Sequence, residues 1–333
     1  MTIYKEDLEP RFKFEVAELP EGENVKECFE CGSCTGVCPV SQIIPEFDPR
    51  KILHMISLGL KKKLLSSDLL WYCTGCRTCK FVCPQDVRFN DVIKALKVLA
   101  LQDGYVDADT LSEMGKLAVV DEKLCVGCLT CVRLCPFTAP SIEAGKGVAH
   151  IEPLKCVACG ICVAGCPVKA IELKTSEDVN RFSLFDLLRQ ADQPDNSDEP
   201  DIVAFCCHYT AYAYSQDLNN LSNLGFPKNV SVEILPCSGN ISISRLLKAF
   251  EDGADGVYVA GCLEDTCHNV KGSQVASNRV NYVKNVLSQL NIDPSRIEMY
   301  MISRESNQGF IDAAKDMTER IKRLGAGPLK VKK

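Results

Sequence analysis

The chain has 333 residues, 21 cysteines and a formal net charge of −6. This length suits two or three domains, and the acidic balance disfavours nucleic-acid binding, which needs a basic surface. So many cysteines indicate either a secreted disulfide scaffold or a metal-binding protein. Residues 1–10 are polar without a secretion signal, and no run of about 18 apolar residues is present. We therefore expect a cytoplasmic metal-binding protein without a membrane-spanning helix.

The N-terminal third combines two cysteine runs with several predicted helices. Before the first run, Phe12, Phe14 and Val16 alternate with polar residues, which predicts an edge strand or an extended arm. Between the runs, Asp48 is expected to cap a helix that begins at Pro49. Asp68 is predicted to cap a second helix, which carries Trp71 and Cys73, and a third helix is predicted to span residues 90–101. The basic run at residues 61–63 is predicted to be a solvated helix end.

Four cysteine runs with the spacing C-x2-C-x2-C-x3-C, each followed by proline, occupy the first half of the chain. This is the spacing of bacterial-type ferredoxins, in which the fourth cysteine of each run binds the cluster of the other run. Structural zinc needs two cysteine pairs and does not account for four quartets that end in proline. We predict four 4Fe-4S clusters with crossed ligation, held by Cys28, Cys31, Cys34 and Cys83; by Cys73, Cys76, Cys79 and Cys38; by Cys125, Cys128, Cys131 and Cys166; and by Cys156, Cys159, Cys162 and Cys135.

The second pair of runs lies in a compact central segment. Residues 103–122 are predicted to be a short connector, and residues 141–154 to form a hairpin around Gly145 and Gly147. A strand is predicted at residues 170–173. Residues 174–200 then read as a boundary, with a helical turn or two at residues 182–188 and an acidic linker at residues 192–201. Because such small modules bury little apolar surface, we expect the clusters to stabilise them and iron removal to unfold them.

The last third has a different pattern, in which short apolar runs alternate with helical patterns. Strands are predicted at residues 202–205, 230–235, 256–260 and 296–302, which favours a parallel sheet with helices on both faces. The remaining cysteines lie at or just beyond strand ends, and the carboxyl ends of parallel strands converge on one crevice. Four thiolates there can hold a 2Fe-2S cluster. The predicted ligands are Cys207, Cys237, Cys262 and Cys267, with Cys206 as a strand-end thiol or a substitute ligand.

Two histidines follow predicted ligands in this crevice, namely His208 and His268. Two histidines can replace two cysteines on one iron of a 2Fe-2S centre. Since enough cysteines are present, we expect both histidines to form ordinary hydrogen bonds. His54 and His150 are expected to have no part in the sites.

Residues 25–101 resemble the C subunit of heterodisulfide reductase. The similarity lies in Cys31-Gly32, in Pro49-Arg50-Lys51, in Trp71, and in the runs that end at Cys38-Pro39 and at Cys83-Pro84-Gln85. The related iron-sulfur subunits of succinate dehydrogenase and of glycolate-oxidase-type enzymes fit less well around the cysteines. The resemblance implies a helical fold that binds two clusters.

Residues 201–323 resemble the D subunit of methyl-viologen-reducing hydrogenase, which passes electrons from hydrogenase to heterodisulfide reductase. The matching residues are Phe205, Cys207 and Tyr212, then Cys237-Ser238-Gly239, Ala249-Phe250, residues 253–257, Gly261-Cys262 and Cys267-His268. One position departs from the family, because Thr210 stands where the family has a second cysteine. A docking domain without a cluster therefore remains the alternative for this region.

Together these features predict a multidomain protein: an α-helical ferredoxin module (residues 1–102), an α+β bacterial-type ferredoxin (103–175), a linker (176–200), an α/β domain with a four-stranded parallel sheet (201–325) and a tail (326–333). The expected cofactors are four 4Fe-4S clusters and one 2Fe-2S cluster, without flavin. No dinucleotide-binding glycine loop, nucleophile–base pair or haem attachment site is present. We therefore expect no catalytic site in this chain.

The resemblances imply an electron-transfer subunit in an anaerobe. It would dock to an FAD-containing A-type subunit, where electrons bifurcate, and connect it with hydrogenase, formate dehydrogenase or a pyridine-nucleotide module. Two alternatives remain open. One is a reductase that binds a disulfide or thiol at a cluster in its C-terminal crevice, and the other is a regulator whose partner affinity depends on its oxidation state.

Overall fold

Residues 8–38, 40–41, 44, 46–73, 75–174, 199–210, 225–303 and 307–329 are described by the structure, a computed structural model. Contacts divide the chain into two units, residues 1–117 with 151–157 and residues 118–150 with 158–333. The predicted helical turn at residues 182–188 and most of the predicted linker lie outside the described residues. Across the described ranges, no helix has both the length and the apolar character that crossing a bilayer requires.

The first unit is helical and is centred on its longest helix. This helix, α6 (Phe89–Gln102), buries Val92, Ile93 and Leu96 along one face, as their spacing predicts. The full set is α1 (Phe12–Glu18), α2 (Ser33–Gly36), α3 (Pro49–Ser57), α4 (Lys61–Leu65), α5 (Thr78–Val82), α6 (Phe89–Gln102) and α7 (Ala108–Glu113), with 3-10 turns at Glu23–Glu27 and Asp68–Tyr72. Helices α1, α4 and α5 all contact α6.

Helix α3 begins where the sequence predicts. The Asp48 side chain accepts hydrogen bonds from the backbone N–H groups of Arg50 and Lys51, and Pro49 stands in the first turn. This is the N-cap arrangement that satisfies otherwise unpaired N–H groups. The cap also accepts a hydrogen bond of 2.7 Å from the Thr35 hydroxyl, which joins α3 to the helix of the first cysteine run.

The predicted N-terminal edge strand is wrong, because residues 12–18 form helix α1. Phe12 and Val16 are four residues apart, so they share one helical face, and both are fully buried. Phe14, which a strand would place on the same side, is 46% exposed. Burial of the i, i+4 pair against the unit therefore outweighs the two-residue alternation.

Three further local predictions for this unit need correction. The segment at Asp68 is a 3-10 turn capped by the Ser67 hydroxyl, and it ends before Cys73. The basic run lies at the amino end of α4 with Lys62 and Lys63 exposed, as predicted, but Lys61 is largely buried because it pairs with Glu15 at 2.8 Å and with Asp103 at 3.0 Å. The predicted connector contains helix α7 and strand β1 (Ala118–Val120).

The central segment contains two small sheets and two short helices. Strand β1 pairs antiparallel with β4 (Ile171–Leu173), and β2 (Pro140–Ile142) pairs with β3 (Ala149–Ile151), which confirms the predicted hairpin. The helices are α8 (Thr130–Leu134) and α9 (Ile161–Gly165). Each contains the third cysteine of its run.

The C-terminal region contains the predicted four-stranded parallel sheet. Its strands are β5 (Ile202–Cys207), β6 (Val230–Leu235), β7 (Gly256–Cys262) and β8 (Ile297–Ile302), in the order β6-β5-β7-β8. Helices α10 (Ile243–Glu251), α11 (Gly272–Gln289) and α12 (Asn307–Leu324) follow the strands. One face of the sheet packs Ala204 and Tyr258 against Phe310 of α12, and the other packs Val257 and Val259 among residues of α10 and α11. The sheet is thus covered on both faces.

Candidate iron-sulfur sites

The four cysteine runs adopt one repeated local structure. In each run a residue with positive φ immediately precedes a short helix that contains the third cysteine: Gly32, Arg77, Leu129 and Gly160 stand at these positions. The residue with positive φ reverses the direction of the chain, so that the first three thiols of the run can lie around one pocket. The fourth cysteine lies beyond the helix, at or next to its carboxyl end.

In the first unit, two pockets are each lined by a complete set of four cysteines. A pocket of about 400 Å³ is lined by Cys28, Cys31, Cys34 and Cys83. A pocket of about 310 Å³ is lined by Cys38, Cys73, Cys76 and Cys79. The fourth cysteine of each run therefore lines the pocket formed by the other run. These are the groupings that crossed ligation requires.

Burial makes several of these thiols hard to ionise without iron. Burial, with a smaller contribution from neighbouring cysteines, raises the pKa of Cys34 and of Cys38 to about 11 and that of Cys79 to about 12. The Ser33 hydroxyl, 3.3 Å from Cys31 Sγ, instead lowers the pKa of that exposed cysteine. Because iron binds thiolates, loading these sites must release protons.

A buried lysine lies beside the second of these sets. Lys97 on α6 is 6% exposed, and its ammonium lies 5.0 Å from the centroid of the Trp71 ring. Burial lowers the pKa of Lys97, whereas the nearby thiolates of Cys73 and Cys156 oppose this change. All four residues belong to the first unit. A cation here is therefore stabilised by thiolates that are predicted to hold two different clusters.

The central segment supplies a third shared pocket, of about 330 Å³, which is lined by Cys125, Cys128, Cys131 and Cys166. Backbone N–H groups point at two of these thiols, because Ala149 donates to Cys125 Sγ at 3.4 Å and Ala170 donates to Cys166 Sγ at 3.2 Å. Such N–H groups stabilise thiolate charge. The fourth set, Cys135, Cys156, Cys159 and Cys162, stays a prediction from the spacing.

These pockets suit groups larger than one ion. A single zinc ion holds its sulfur ligands at about 2.3 Å, so four thiols around it must lie close together. Within the described ranges, no three cysteine, histidine or carboxylate side chains are arranged to hold a single metal ion. Four thiols that come from two runs with the ferredoxin spacing and line one pocket instead fit a multinuclear cluster.

In the C-terminal region, three strand ends bring three buried thiols together. Cys207 ends β5, Cys237 follows β6 and Cys262 ends β7, and each is 1% exposed. The thiol of Cys207 hydrogen-bonds with those of Cys237 and Cys262. The bond with Cys237, together with burial, raises the pKa of Cys207 to about 12. The hydrogen bond between Cys207 and Cys262, together with burial, raises the pKa of Cys262.

The fourth predicted thiol, Cys267, approaches the same place through the start of α11. A Cβ atom at Gly272 would overlap Cys237 Sγ and would lie 3.5 Å from Cys267 Sγ. Only glycine, which has no Cβ atom, leaves space for both sulfur atoms at this position. The Ser273 hydroxyl lies 3.7 Å from Cys267 Sγ. The structure thus brings together all four cysteines predicted for the C-terminal site, at the amino end of an 18-residue helix whose dipole favours negative charge.

Donors surround these sulfurs. The Thr210 hydroxyl, completely buried, lies 3.4 Å from Cys262 Sγ, and the backbone N–H of His268 also hydrogen-bonds to Cys262. The N–H of Gly239 donates to Cys237 Sγ at 3.4 Å. The residue that replaces the family's second cysteine therefore still lies at the site, where it supplies a hydroxyl.

Cys206 lies on the opposite face of the sheet from these thiols. It packs in the core with Ala204, Tyr258 and Phe310 and is fully buried. Successive side chains of a strand point to opposite faces, so Cys206 and Cys207 cannot line the same crevice. The prediction of Cys206 as a substitute ligand is therefore wrong, and its place as a strand-end thiol is retained.

The two histidines of this region have other contacts. His268 is buried and stacks on Tyr209 with ring centroids 3.7 Å apart, while His208 meets the edge of the same ring at 5.2 Å. Outside the sites, His54 pairs with Glu30 at 2.8 Å, and His150 is exposed.

Sequence reasoning missed Lys97, Gly272 and Arg279 as neighbours of the predicted ligands. Arg279 donates from one nitrogen to the carbonyl oxygens of Gly239 and Ile241, beside Cys237. All three positions depend on packing between distant segments.

Comparison with known proteins agrees with this division of the chain. The family model described as the delta subunit of methyl-viologen-reducing hydrogenase matches residues 202–325. Models of 4Fe-4S dicluster domains match residues 24–87 and residues 117–179. Two of the three regions are thus matched to iron-sulfur domains by their own models.

Individual relatives point to the same families. The D iron-sulfur subunit of the F420-non-reducing hydrogenase vhu from Methanocaldococcus jannaschii is 37% identical over 132 residues, which is 40% of this chain and 98% of the relative. The C iron-sulfur subunit of the CoB–CoM heterodisulfide reductase from Methanopyrus kandleri is 39% identical over 112 residues, which is 32% of this chain and 58% of the relative.

A third relative was not expected from the sequence. The A subunit of the ferredoxin:CoB-CoM heterodisulfide reductase from Methanosarcina mazei is 34% identical over 232 residues, which is 69% of this chain. The chain spans 28% of that relative's length. Taken with the hydrogenase subunit that the chain covers almost completely, the matches show that this chain belongs to the methyl-viologen-reducing hydrogenase delta-subunit family, as a fusion with two 4Fe-4S dicluster domains.

Proposed function

We propose that this chain is an iron-sulfur electron-transfer subunit of a heterodisulfide-reductase-like complex. The observation that carries the proposal is the grouping of thiols: three pockets are each lined by four cysteines in the crossed pattern, and four further thiols meet at the sheet's carboxyl edge. The proposed cofactors are four 4Fe-4S clusters and one 2Fe-2S cluster. Bound clusters supply one-electron transfer between centres.

The protein's own part is to hold and shield these centres. The cysteines provide the thiolates, and backbone N–H groups such as those of Ala149 and Gly239 favour their charged state. Burial of Cys207, Cys237 and Cys262 excludes water and bulky molecules from the C-terminal site. That burial supports a conduit for electrons, and it disfavours a reductase that binds a disulfide substrate in this crevice.

The proposed partners are a flavoprotein of the A type, which contains FAD, and a donor or acceptor oxidoreductase such as a hydrogenase or formate dehydrogenase. Relatives named as heterodisulfide reductase and hydrogenase subunits support these partners. We further propose that the complex bifurcates electrons at the flavin of the A-type flavoprotein, in an anaerobic cell.

The test is electron transfer from the full chain to a separately purified FAD-containing flavoprotein of the A type. The chain is reduced anaerobically, freed of reductant and mixed with the flavoprotein in a stopped-flow instrument. Reduction of the flavin, followed by its absorbance, is the expected result, and a chain treated with chelator is the control. If the loaded chain instead turns over a disulfide with reduced viologen and never reduces the flavin, the reductase alternative is correct.

A further inference from the structure

The helix α9 of the central segment packs against the turn that follows Cys237. A Cβ atom at Gly160 would lie 2.6 Å from Asn240 Cγ, and one at Gly239 would lie 2.8 Å from Ile161 Cγ1. A Cβ atom at either position would force the Asn240 or Ile161 side chain to shift, so each glycine lets a side chain of the other segment pack directly on its backbone. Helix α9 and the Ser238–Asn240 turn are therefore in direct contact within the second unit.

Arg279 lies beside this contact and is bound to it. The residue stands about two turns along α11 from Gly272. Its Nη1 donates to Gly239 O at 2.8 Å and to Ile241 O at 2.7 Å. Its Nη2 would lie 3.3 Å from a Cβ atom at Gly165 of α9. One guanidinium thus joins the turn after Cys237 to α11 and also reaches the ferredoxin helix.

The charge of Arg279 is permanent at this place. Burial lowers the pKa of Arg279, and the Cys237 thiolate opposes the change, but a guanidinium starts so far above neutrality that it stays protonated. A fixed positive charge beside a thiolate ligand favours whichever state of the site carries more negative charge. At an iron-sulfur centre, that state is the reduced one.

We propose that Arg279 is a positioning residue that holds the Ser238–Asn240 turn against α9 and places a fixed positive charge beside Cys237, which favours reduction of the C-terminal cluster. The inference rests on the proposed function, because it requires a cluster at Cys207, Cys237, Cys262 and Cys267. It joins the C-terminal site to helix α9, and it makes Arg279 one determinant of the potential of the C-terminal cluster.

The experiment compares reduction potentials in the full, cluster-loaded chain. Anaerobic redox titration monitored by electron paramagnetic resonance follows the C-terminal cluster in the wild type, in Arg279→Gln, which removes the charge, and in Arg279→Lys, which retains it. The control is Lys248→Gln, which removes the same unit charge from an exposed position on α10. Iron content is measured on every sample.

We expect Arg279→Gln to make reduction of this cluster about tenfold less favourable, which is about 59 mV for one electron. Arg279→Lys should keep the potential close to that of the wild type. Because a lysine ammonium is one bond closer to its backbone than Arg279 Nη1, it does not reach both Gly239 O and Ile241 O, and amide hydrogen exchange at residues 238–241 should be faster in both variants. Lys248→Gln should change neither quantity.

An Arg279→Gln chain with full iron content and an unchanged potential overturns the inference and leaves the proposed function standing. A wild-type chain without the C-terminal cluster overturns the inference and the proposed 2Fe-2S cofactor, but it leaves electron transfer through the 4Fe-4S clusters standing. If Arg279→Gln loses the cluster, Arg279→Lys decides the matter: unchanged hydrogen exchange at residues 238–241 overturns the positioning role, and faster exchange with a retained potential supports it.

Discussion

Replacement of Thr210 by valine tests how the C-terminal site works in a chain that lacks the family's second cysteine. Valine keeps the shape of threonine and removes the hydroxyl that lies 3.4 Å from Cys262 Sγ. Once Cys262 is a thiolate, this hydroxyl is the donor. Because the side chain is fully buried, no water is placed to replace the lost hydrogen bond.

The size of the effect follows from the strength of that bond. A hydrogen bond to a charged acceptor contributes about 1.5–3 kcal/mol, and the bond strengthens as the sulfur gains electron density on reduction. We take about 1 kcal/mol of this hydrogen-bond energy as the gain on reduction. Its loss in Thr210→Val lowers the potential of the C-terminal cluster by about 40 mV. Iron content should stay unchanged, because the four cysteines remain.

The assay is a redox titration of the loaded full chain. Thr318→Val is the matched control, since Thr318 is also buried but its hydroxyl donates to Ala314 O inside α12, away from the cysteines. The control should lose some stability and keep its potential. Equal potentials for the wild type and Thr210→Val would refute the assignment of Thr210 as a donor to the cluster.

Three other changes test separate parts of the account. Cys207→Ala should remove the C-terminal cluster, whereas Cys206→Ala should keep all iron and cost about 1 kcal/mol of stability by leaving a small cavity; equal iron loss in both would contradict the two-face placement. Burial raises the pKa of Glu298, but hydrogen bonds from Lys284 and Arg320 lower it by more, so the pKa of Glu298 in the folded chain is below its ordinary value. Its contribution to stability is therefore present above its ordinary pKa near 4.5 and lost as the pH falls through the folded value, and Glu298→Gln should flatten the acid side of the unfolding profile; an unchanged acid limb would be inconsistent with this ion pair. Lys97→Met should make reduction of a cluster held by Cys73 or Cys156 roughly tenfold less favourable, and titrations identical to those of the wild type would exclude that electrostatic role.

The cysteine pattern carried most of what could be predicted about the candidate sites. The ferredoxin spacing is local, and it led to the groupings that the pockets display. In the C-terminal region, the strand-end positions were sufficient because parallel strands bring their carboxyl ends together. Both arguments use short-range rules that hold whatever the surrounding side chains are.

The predictions that were wrong or missing concern residues whose structure depends on packing between distant segments. The alternation of Phe12 and Val16 suggested a strand, but burial of both on one helical face prevailed. Lys61 in a basic run looked solvated, yet it pairs with Glu15, which is 46 residues away. Arg279 carried no sequence signal, since its role depends on two carbonyl groups about 40 residues upstream.

Whether this chain carries iron-sulfur clusters is decided by its iron and acid-labile sulfide content, measured on the full chain purified without oxygen and characterised by Mössbauer spectroscopy. We expect about 18 irons per chain, with 4Fe-4S and 2Fe-2S signatures in a four-to-one ratio of clusters. About 16 irons without a 2Fe-2S signature would remove the C-terminal cluster. A chain that holds zinc and little iron would contradict the proposed electron-transfer function altogether.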